Sequence, residues 1–140
     1  MLMKTPEENA QRLADFLLYA QRNYVLSLSK QLVNANVSQV QFSLIAYLAK
    51  EDFLTMTEVS KKIGHSTAAS TGLIDRMEKL GYVQRLHASD DRRKVLVQVA
   101  RKGIDLVEQI RTNLVEMILE DDPRNGDHGI DRDAKFPQGT

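Results

Sequence analysis

The sequence predicts a mainly α-helical fold of the α+β class, in which helices precede and follow one β-hairpin. Over most of the chain, apolar residues recur every three or four positions, which is the spacing of a helix that faces a core. Between residues 82 and 100 the period changes, and the partly alternating stretches "YVQRLHA" and "KVLVQVA" favour two paired strands. Helix-capping residues and glycines stand where the period breaks, so the order of the elements can be predicted along the chain.

The composition narrows the class of protein. With 140 residues, of which 42% are hydrophobic and 27% charged, the chain is expected to be a soluble globular domain with its own core. It contains no cysteine, which excludes disulfides, thiolate metal ligands and thiol-based redox sensing. The polar N-terminus has no signal-peptide core and the apolar runs are too short to cross a bilayer, so no membrane partner is expected.

A long first helix is predicted from Pro6, because a proline followed by acids is typical of a first helical turn. Its apolar positions form a broad stripe: Leu13, Phe16, Leu17, Leu18, Ala20, Tyr24, Leu26, Leu28, Leu32 and Val33. A helix that is apolar around most of its circumference needs more than one packing partner. We therefore expect residues 1–36 to form an N-terminal dimerisation helix that packs on its own domain and on a second copy.

Two shorter helices are predicted next. Ser38 and Gln41 stand in capping-box register at the start of a helix over residues 39–50. The stretch "DFL" after it is expected to be a short extended link. Thr55 and Glu58 repeat the capping-box pattern and predict the short helix "MTEVSKKI".

The centre of the chain predicts a helix-turn-helix followed by a β wing. A turn at Gly64 precedes the helix "TAASTGLIDRMEKL", which Ser66 caps and which stops at Gly81. A small core between the two helices is expected from Val59, Ile63, Leu73, Ile74, Met77 and Leu80. In a winged helix-turn-helix the second helix enters the DNA major groove. We assign this DNA-binding region to residues 37–103, with the wing at 82–100.

The helical period returns after the hairpin and predicts a C-terminal dimerisation helix at residues 104–120. Its face for a second copy is expected to include Ile110, Leu114, Met117 and Ile118. From residue 121 to 140 the chain is polar, acidic and rich in Gly, Pro and Asp, so we expect a tail there.

Charge is unevenly distributed, although the formal net charge is +0. Residues 1–54 carry five basic and five acidic side chains, residues 55–103 carry ten and five, and residues 104–140 carry four and nine. A basic middle indicates a face that binds a polyanion; the alternative is chance clustering on a solvated surface. The densest cluster, "SDDRR", lies at the predicted hairpin tip with nothing apolar to bury.

Over about residues 37–114 the sequence resembles the MarR-type winged-helix regulators. The resemblance is carried by "TMTEVSKKIGHSTAASTGLIDRMEKLGYVQR" and "SDDRRKVLVQVARKG". The second stretch contains the wing signature of that family, which is Asp91, any residue, Arg93, a hydrophobic strand and then Lys102-Gly103. The resemblance implies a homodimeric transcription regulator, most often a repressor, that binds double-stranded DNA at a pseudo-palindromic operator.

The resemblance makes Arg93 the side chain that enters the DNA minor groove, where the potential is strongly negative. Asp91 can hold that guanidinium through charge-assisted bonds, and Arg92 and Lys94 are expected to meet flanking phosphates. The tip is then charged because its partner is DNA. The structural alternative is an exposed hairpin that charge keeps soluble.

On the predicted recognition helix, the period turns five residues away from the core: Thr67, Ala68, Thr71, Gly72 and Arg76. Threonine hydroxyls can bond base edges or phosphates, methyl groups can contact thymine, and Ser66 can donate to a phosphate. Two interpretations of Gly72 stay open, either a close approach of the backbone to DNA or a neutral position. Glu78 is expected to lie at the flank and to matter little.

The sequence lacks the motifs that are typical of other functional classes. The sequence has no G-x-S-x-G, no H-E-x-x-H and no glycine-rich phosphate loop, so neither an enzyme nor a cofactor is predicted. The three histidines, His65, His87 and His128, share no ligand spacing, and a metal site built from His87 and acids is kept only as an alternative. Another alternative is a winged helix for protein contacts alone, which would need neither a basic middle nor the charged tip.

Members of the family that this sequence resembles often bind small aromatic or anionic molecules between the dimerisation helices and the winged helix. The aromatic residues Tyr19, Tyr24, Phe42 and Tyr47 lie on predicted helices that can line such a pocket, and core packing is their alternative role. The resemblance therefore implies a small-molecule effector as a further partner. It also implies a cytoplasmic, nucleoid-associated location.

Overall fold

The computed structural model describes residues 5–91 and 93–120. Arg92 and the predicted tail at residues 121–140 lie outside the described residues. The helices are α1 (Pro6–Asp15), α2 (Gln21–Ala35), α3 (Gln39–Lys50), α4 (Met56–Ile63), α5 (Thr67–Lys79) and α6 (Arg101–Glu120); the strands are β1 (Leu54–Thr55), β2 (Val83–His87) and β3 (Val95–Val99). A π-helical turn over Phe16–Ala20 joins α1 to α2. This order confirms the predicted winged helix-turn-helix.

The chain divides into two compact units. One comprises Ser29–Arg111 and includes α3, α4, α5 and all three strands; we call it the winged unit. The described residues of the other unit are 5–28 and 112–120, and we call it the terminal unit.

The helices begin where their capping residues predict. Both predicted capping boxes are present, one at residues 38–41 and one at residues 55–58. A third box joins Thr5 and Glu8 ahead of α1, and the sequence interpretation missed it although the threonine–glutamate spacing was visible. Each box satisfies two backbone N–H groups that the first turn of a helix leaves without a partner.

The sheet has the strand order β1-β3-β2, and both pairings are antiparallel. The predicted hairpin is confirmed, with Val83 opposite Val99 and His87 opposite Val95. Leu54, in the stretch "DFL" that was expected to be extended, is buried and pairs with Val97 as the start of a third strand, which was not predicted. A strand of two residues is too short to show a period, so periodicity could not reveal it.

The winged unit is built round an apolar core. Its buried apolar residues are Leu32, Val37, Leu44, Ile45, Leu48, Leu54, Val59, Ile74, Met77, Tyr82, Val83, Val97, Leu106 and Ile110. The predicted core between α4 and α5 is present, although Ile63, Leu73 and Leu80 are only half-buried. Ile110 was expected to face a second copy, but it is 4% exposed and belongs to this core.

Helix α6 begins at Arg101 rather than at the predicted residue 104, so the Lys102-Gly103 pair lies in its first turn. Lys102 Nζ donates to the carbonyl oxygen of Leu80 at 2.7 Å and lies 4.6 Å from the centre of the Tyr82 ring. The lysine therefore fastens the start of α6 to the end of α5 and the base of the wing.

Gly103 is a glycine because the chain packs closely around it. A Cβ atom added there would lie 2.7 Å from the carbonyl oxygen of Tyr82 and 2.6 Å from Val99 Cγ2. The first of these neighbours is backbone, so it cannot move aside without shifting the base of the wing. Gly72 on α5 differs, since nothing lies within 4 Å of an added Cβ.

Tyr82 connects α2 to the wing. Its ring is 3% exposed and its hydroxyl donates to the carbonyl oxygen of Ala35 at 2.6 Å. Burial raises the pKa of the Tyr82 phenol above its usual 10.0. Burial therefore favours the neutral phenol, which is the form that can donate to Ala35.

Gly103→Ala should lower the free energy of unfolding by about 1–3 kcal/mol, because the added methyl overlaps the Tyr82 carbonyl. Urea unfolding followed by circular dichroism measures this change. Gly72→Ala is the matched control: the same methyl enters open space on a helix, and it should raise stability by up to about 1 kcal/mol. Equal stability of Gly103→Ala and wild type would contradict the close packing.

Tyr82→Phe should cost about 1 kcal/mol at neutral pH, because it removes the hydrogen bond to Ala35. Since the pKa of the folded phenol is raised, the contribution that Tyr82 makes through its proton is complete below pH 10.0 and is lost as the pH rises above that value. Urea unfolding at several alkaline pH values should therefore show wild type losing stability faster than Tyr82→Phe. Parallel decline of the two proteins would contradict the burial of this hydroxyl.

Candidate nucleic-acid interface

The recognition helix α5 presents one face to the core and the opposite face to solvent. Ser70, Ile74 and Met77 are fully buried, and Ser70 Oγ lies 2.9 Å from Ser60 Oγ on α4. The exposed positions include all six residues predicted for this surface: Ser66, Thr67, Ala68, Thr71, Gly72 and Arg76. Their outward direction agrees with the predicted phase of the helix, and their contact with DNA stays a prediction.

Two hydroxyl groups on this face differ in what they can donate. Ser66 Oγ accepts from the N–H of Ala69 at 3.2 Å as the N-cap of α5, so its own proton is available to a partner. Thr71 Oγ1 donates to the carbonyl oxygen of Thr67 at 2.9 Å. Thr71 therefore offers a partner its methyl group and acceptor lone pairs. Nothing in the packing of this chain requires a glycine at position 72. A close approach of the backbone to DNA and a neutral position therefore both remain as interpretations. Measuring DNA binding by Gly72→Ala distinguishes them.

At the wing tip, backbone hydrogen bonds hold a tight turn. Asp91 Oδ1 accepts from the backbone N–H of Arg93 at 2.9 Å, and the Asp91 carbonyl oxygen accepts from the N–H of Lys94 at 3.1 Å. We expected Asp91 to hold the Arg93 guanidinium; in the structure its carboxylate instead bonds the arginine's backbone. Asp91, Arg93 and Lys94 are all exposed. The turn thus fixes where the Arg93 side chain starts and leaves that side chain exposed.

A cluster that the sequence interpretation missed connects the wing to α5. Arg85 on β2 contacts three residues of the helix: its Nη2 lies 2.6 Å from Asp75 Oδ1 and 3.3 Å from the Thr71 carbonyl oxygen, and its Nη1 lies 3.2 Å from Glu78 Oε1. The backbone N–H of Arg85 also donates to Glu78 Oε2 at 2.8 Å. Glu78, expected to be indifferent at the flank, is therefore engaged twice. The spacing of Asp75 and Glu78 on one side of a helix was visible, but the strand residue opposite them was not.

The four aromatic residues predicted to line an effector pocket lie in different units. Tyr19 is exposed and Tyr24 half-buried in the terminal unit. In the winged unit Phe42 is half-buried, while Tyr47 is exposed and lies with its ring centre 5.1 Å from Lys62 Nζ.

The winged unit also contains an open groove of about 310 Å³. It is lined by Gln31, Asn34, Ala35, Tyr82, Lys102, Asp105, Leu106 and Gln109. None of the four predicted aromatic residues lines this groove. Its lining combines polar and charged side chains with Ala35, Tyr82 and Leu106.

The histidines of the described chain show no common site. His65 Nδ1 donates to the carbonyl oxygen of Ile63 at 2.9 Å in the turn before α5, and His87 is an exposed residue of β2. Within residues 5–91 and 93–120, no three histidine, aspartate or glutamate side chains come together as metal ligands would. Over the same part of the chain, none of the helices has the length and apolar character needed to cross a membrane.

Residues 37–95, which include the helix-turn-helix and the wing tip, match the model of the MarR family. The match is confined to this segment, which is a little under half of the chain. YfiV, an HTH-type transcriptional regulator of Bacillus subtilis, is 38% identical over 68 residues, which are 49% of this chain and 42% of YfiV. YetL, an HTH-type transcriptional repressor of the same organism, is 32% identical over 75 residues, 52% of this chain and 45% of YetL. The chain spans about half the length of the curated relatives it matches.

Solved structures agree with the family in fold. The S. aureus MepR–DNA complex has a TM-score of 0.57 at 17% identity and covers 77% of this chain and 97% of MepR. The transcriptional regulator Tm0710 from Thermotoga maritima has a TM-score of 0.64 at 26% identity, over 89% and 83% of the two chains. NadR, solved in complex with 4-hydroxyphenylacetate, has a TM-score of 0.57 at 26% identity over 85% of each chain. YfiV, YetL and Tm0710 are all named as regulators of transcription.

Proposed function

We propose that this chain is a DNA-binding transcription regulator of the MarR family that recognises a pseudo-palindromic operator as a homodimer. The observation that carries the proposal is the pairing of two exposed elements in one basic segment. The outward face of α5 suits the major groove, and the turn that holds Arg93 suits the minor groove. The segment 55–103 carries ten basic and five acidic side chains, which favours attraction to phosphates.

The roles within this interface follow from the chemistry of each side chain. Arg93 supplies a guanidinium for the negative potential of the minor groove, and Arg92 and Lys94 supply charge for flanking phosphates. On α5, Arg76 is the long exposed donor for a base edge or phosphate, while Thr67, Ala68 and Thr71 offer small contacts. Ser66 can donate its free proton to a phosphate at the helix N-terminus.

The homodimer is supported by the apolar surface that the terminal unit leaves exposed. Leu13, Leu17, Leu18, Tyr19, Val25, Leu26, Val115, Ile118 and Leu119 are each between 43% and 64% exposed. Isolated apolar residues on a surface are ordinary, but nine in one small unit suit a partner surface. A second copy is the partner that a two-fold operator requires, because it sets two recognition helices about one DNA turn apart.

Repression and control by a small molecule are further parts of the proposal. YetL carries the description of a repressor, and NadR was solved with 4-hydroxyphenylacetate, a small aromatic anion. Tyr19, Tyr24, Phe42 and Tyr47 remain the residues that we propose for an effector of this kind. A regulator of this type acts in the cytoplasm, at the nucleoid.

The DNA site can be found by selecting duplexes from a random pool with the wild-type protein. Arg93→Ala should bind the selected duplex more weakly by about 1–3 kcal/mol, and the slope of log affinity against log salt should fall by about 1. Fluorescence anisotropy over a range of salt concentrations measures both. Arg101→Ala is the matched control, because it removes the same charge from an exposed position on α6 that pairs with Asp105.

Two results would contradict this assignment. If Arg93→Ala binds like Arg101→Ala at every salt concentration, the wing tip is not part of the interface. If wild type selects no duplex and shows no salt-dependent binding, the winged helix has another use, and contact with proteins alone becomes the better account.

The dimer can be tested by sedimentation at micromolar concentration. Wild type should sediment at twice the 15.9 kDa of one chain. Replacing Leu18 and Leu26 together by lysine should give a monomer, because two charges would then have to be buried in the interface. The winged unit should keep its cooperative unfolding, since neither side chain belongs to its core. A wild-type monomer at this concentration would contradict the proposed assembly.

A further inference from the structure

Arg85 lies in the middle of β2, the first strand of the wing, and its side chain contacts α5. The contacts reach the Thr71 carbonyl, Asp75 and Glu78, which follow one side of the helix over two turns. The side chain of Arg85 is only 24% exposed, although that of Asp75 is 56% exposed. Arginine is suited to this work because its planar group carries five donors in a fixed arrangement.

We propose that Arg85 is a positioning residue for DNA binding, which sets the wing at a fixed angle to the recognition helix. The proposal rests on the proposed function and assigns a role to a residue that need not touch DNA. A helix and a hairpin tip can enter two grooves together only if their relative position is fixed beforehand. Otherwise the cost of ordering them is taken from the binding free energy.

The position of Arg85 along β2 fits this role. Val83, two residues earlier on the same face of the strand, is buried in the core. Leu86 and His87, the last residues of the strand, are exposed. Arg85 therefore contacts α5 from β2 before the wing leads to its tip, and Arg93 follows eight residues later.

The same cluster also partly neutralises the acidic side chains of α5. The helix contains two acids, Asp75 and Glu78, close to the basic residues Arg76 and Lys79. Acids near a DNA-binding face repel phosphates, and Arg85 offsets that repulsion by pairing with both. Charge offset and positioning predict opposite results for loss of Glu78. By Coulomb attraction alone, Glu78→Ala should tighten DNA binding; if Glu78 holds the wing through Arg85, its loss should weaken binding.

The experiment is a double-mutant cycle on the duplex selected by the wild-type protein. Arg85→Lys keeps the charge and loses the forked contacts, and Glu78→Ala removes the contacts from the other side. Each should weaken binding about tenfold in the wild-type background. In the Arg93→Ala background each should change affinity by no more than about twofold. The wing has then already lost the Arg93 contact, so its position matters little for binding. Glu108→Ala, an exposed acid on α6, is the matched control for charge and should not weaken binding.

The outcomes separate this inference from the proposed function. Failure of wild type to bind any duplex would overturn the proposed function and the inference with it. If wild type binds but the losses are equally large with and without Arg93, Arg85 acts by direct contact or by general stability, and only the inference is overturned. Tighter binding of Glu78→Ala would overturn it as well. Urea unfolding identifies any variant that does not fold. If either Arg85→Lys or Glu78→Ala fails to fold, the double-mutant cycle made with the other variant tests the inference.

Discussion

The direction in which α5 faces depends on one constraint, the burial of Ser70, Ile74 and Met77. These residues lie four and three positions apart and so define a single side of the helix. Ser70 meets the hydroxyl of Ser60 on α4, where two small polar side chains let the helices approach closely. Once that side is buried, the opposite side is exposed for geometrical reasons. Its residues contribute little to the core and are free to be matched to a partner.

The wing has a firm base and an exposed end. Tyr82 is held at the base by a hydrogen bond to Ala35, by Lys102 over its ring and by the close approach of Gly103. These contacts bring together α2, the end of α5 and the start of α6 within the winged unit. A contact surface carried on a rigid base loses less entropy when it binds. Beyond this base Arg85 contacts α5 from β2, and this is the contact that we propose to set the direction of the hairpin.

Features were predicted from the sequence when the interacting residues are close together along the chain, and were missed when they are far apart. The starts of α3, α4 and α5 were predicted because a cap and its partner are three residues apart, so the spacing itself carries the information. Strand β1 was missed because its partner β3 lies about forty residues away and two residues show no period. Arg85 was missed for the same reason, since no local pattern shows which strand residue meets a helix.

Gly103 and Asp91 show where a local pattern was seen but its cause was misjudged. The glycine was interpreted as a boundary before the last helix, whereas the structure shows a helical residue with no room for a side chain. For Asp91 the proximity to Arg93 was predicted correctly, but the partner is the backbone N–H. An aspartate reaches the N–H two residues later by a short local turn, while an arginine head group has a long flexible stem to order first.

A formal net charge of +0 does not oppose binding to DNA, because charges act over a limited distance. At physiological salt the screening length is about 8 Å, so distant acids contribute little at a phosphate contact. What matters is the charge left near the interface after internal pairing. On α5 both acids pair with Arg85, while Arg76 is exposed, so the face that we propose for DNA has its acids already engaged. The salt dependence of binding should therefore follow this local arrangement rather than the composition of the whole chain.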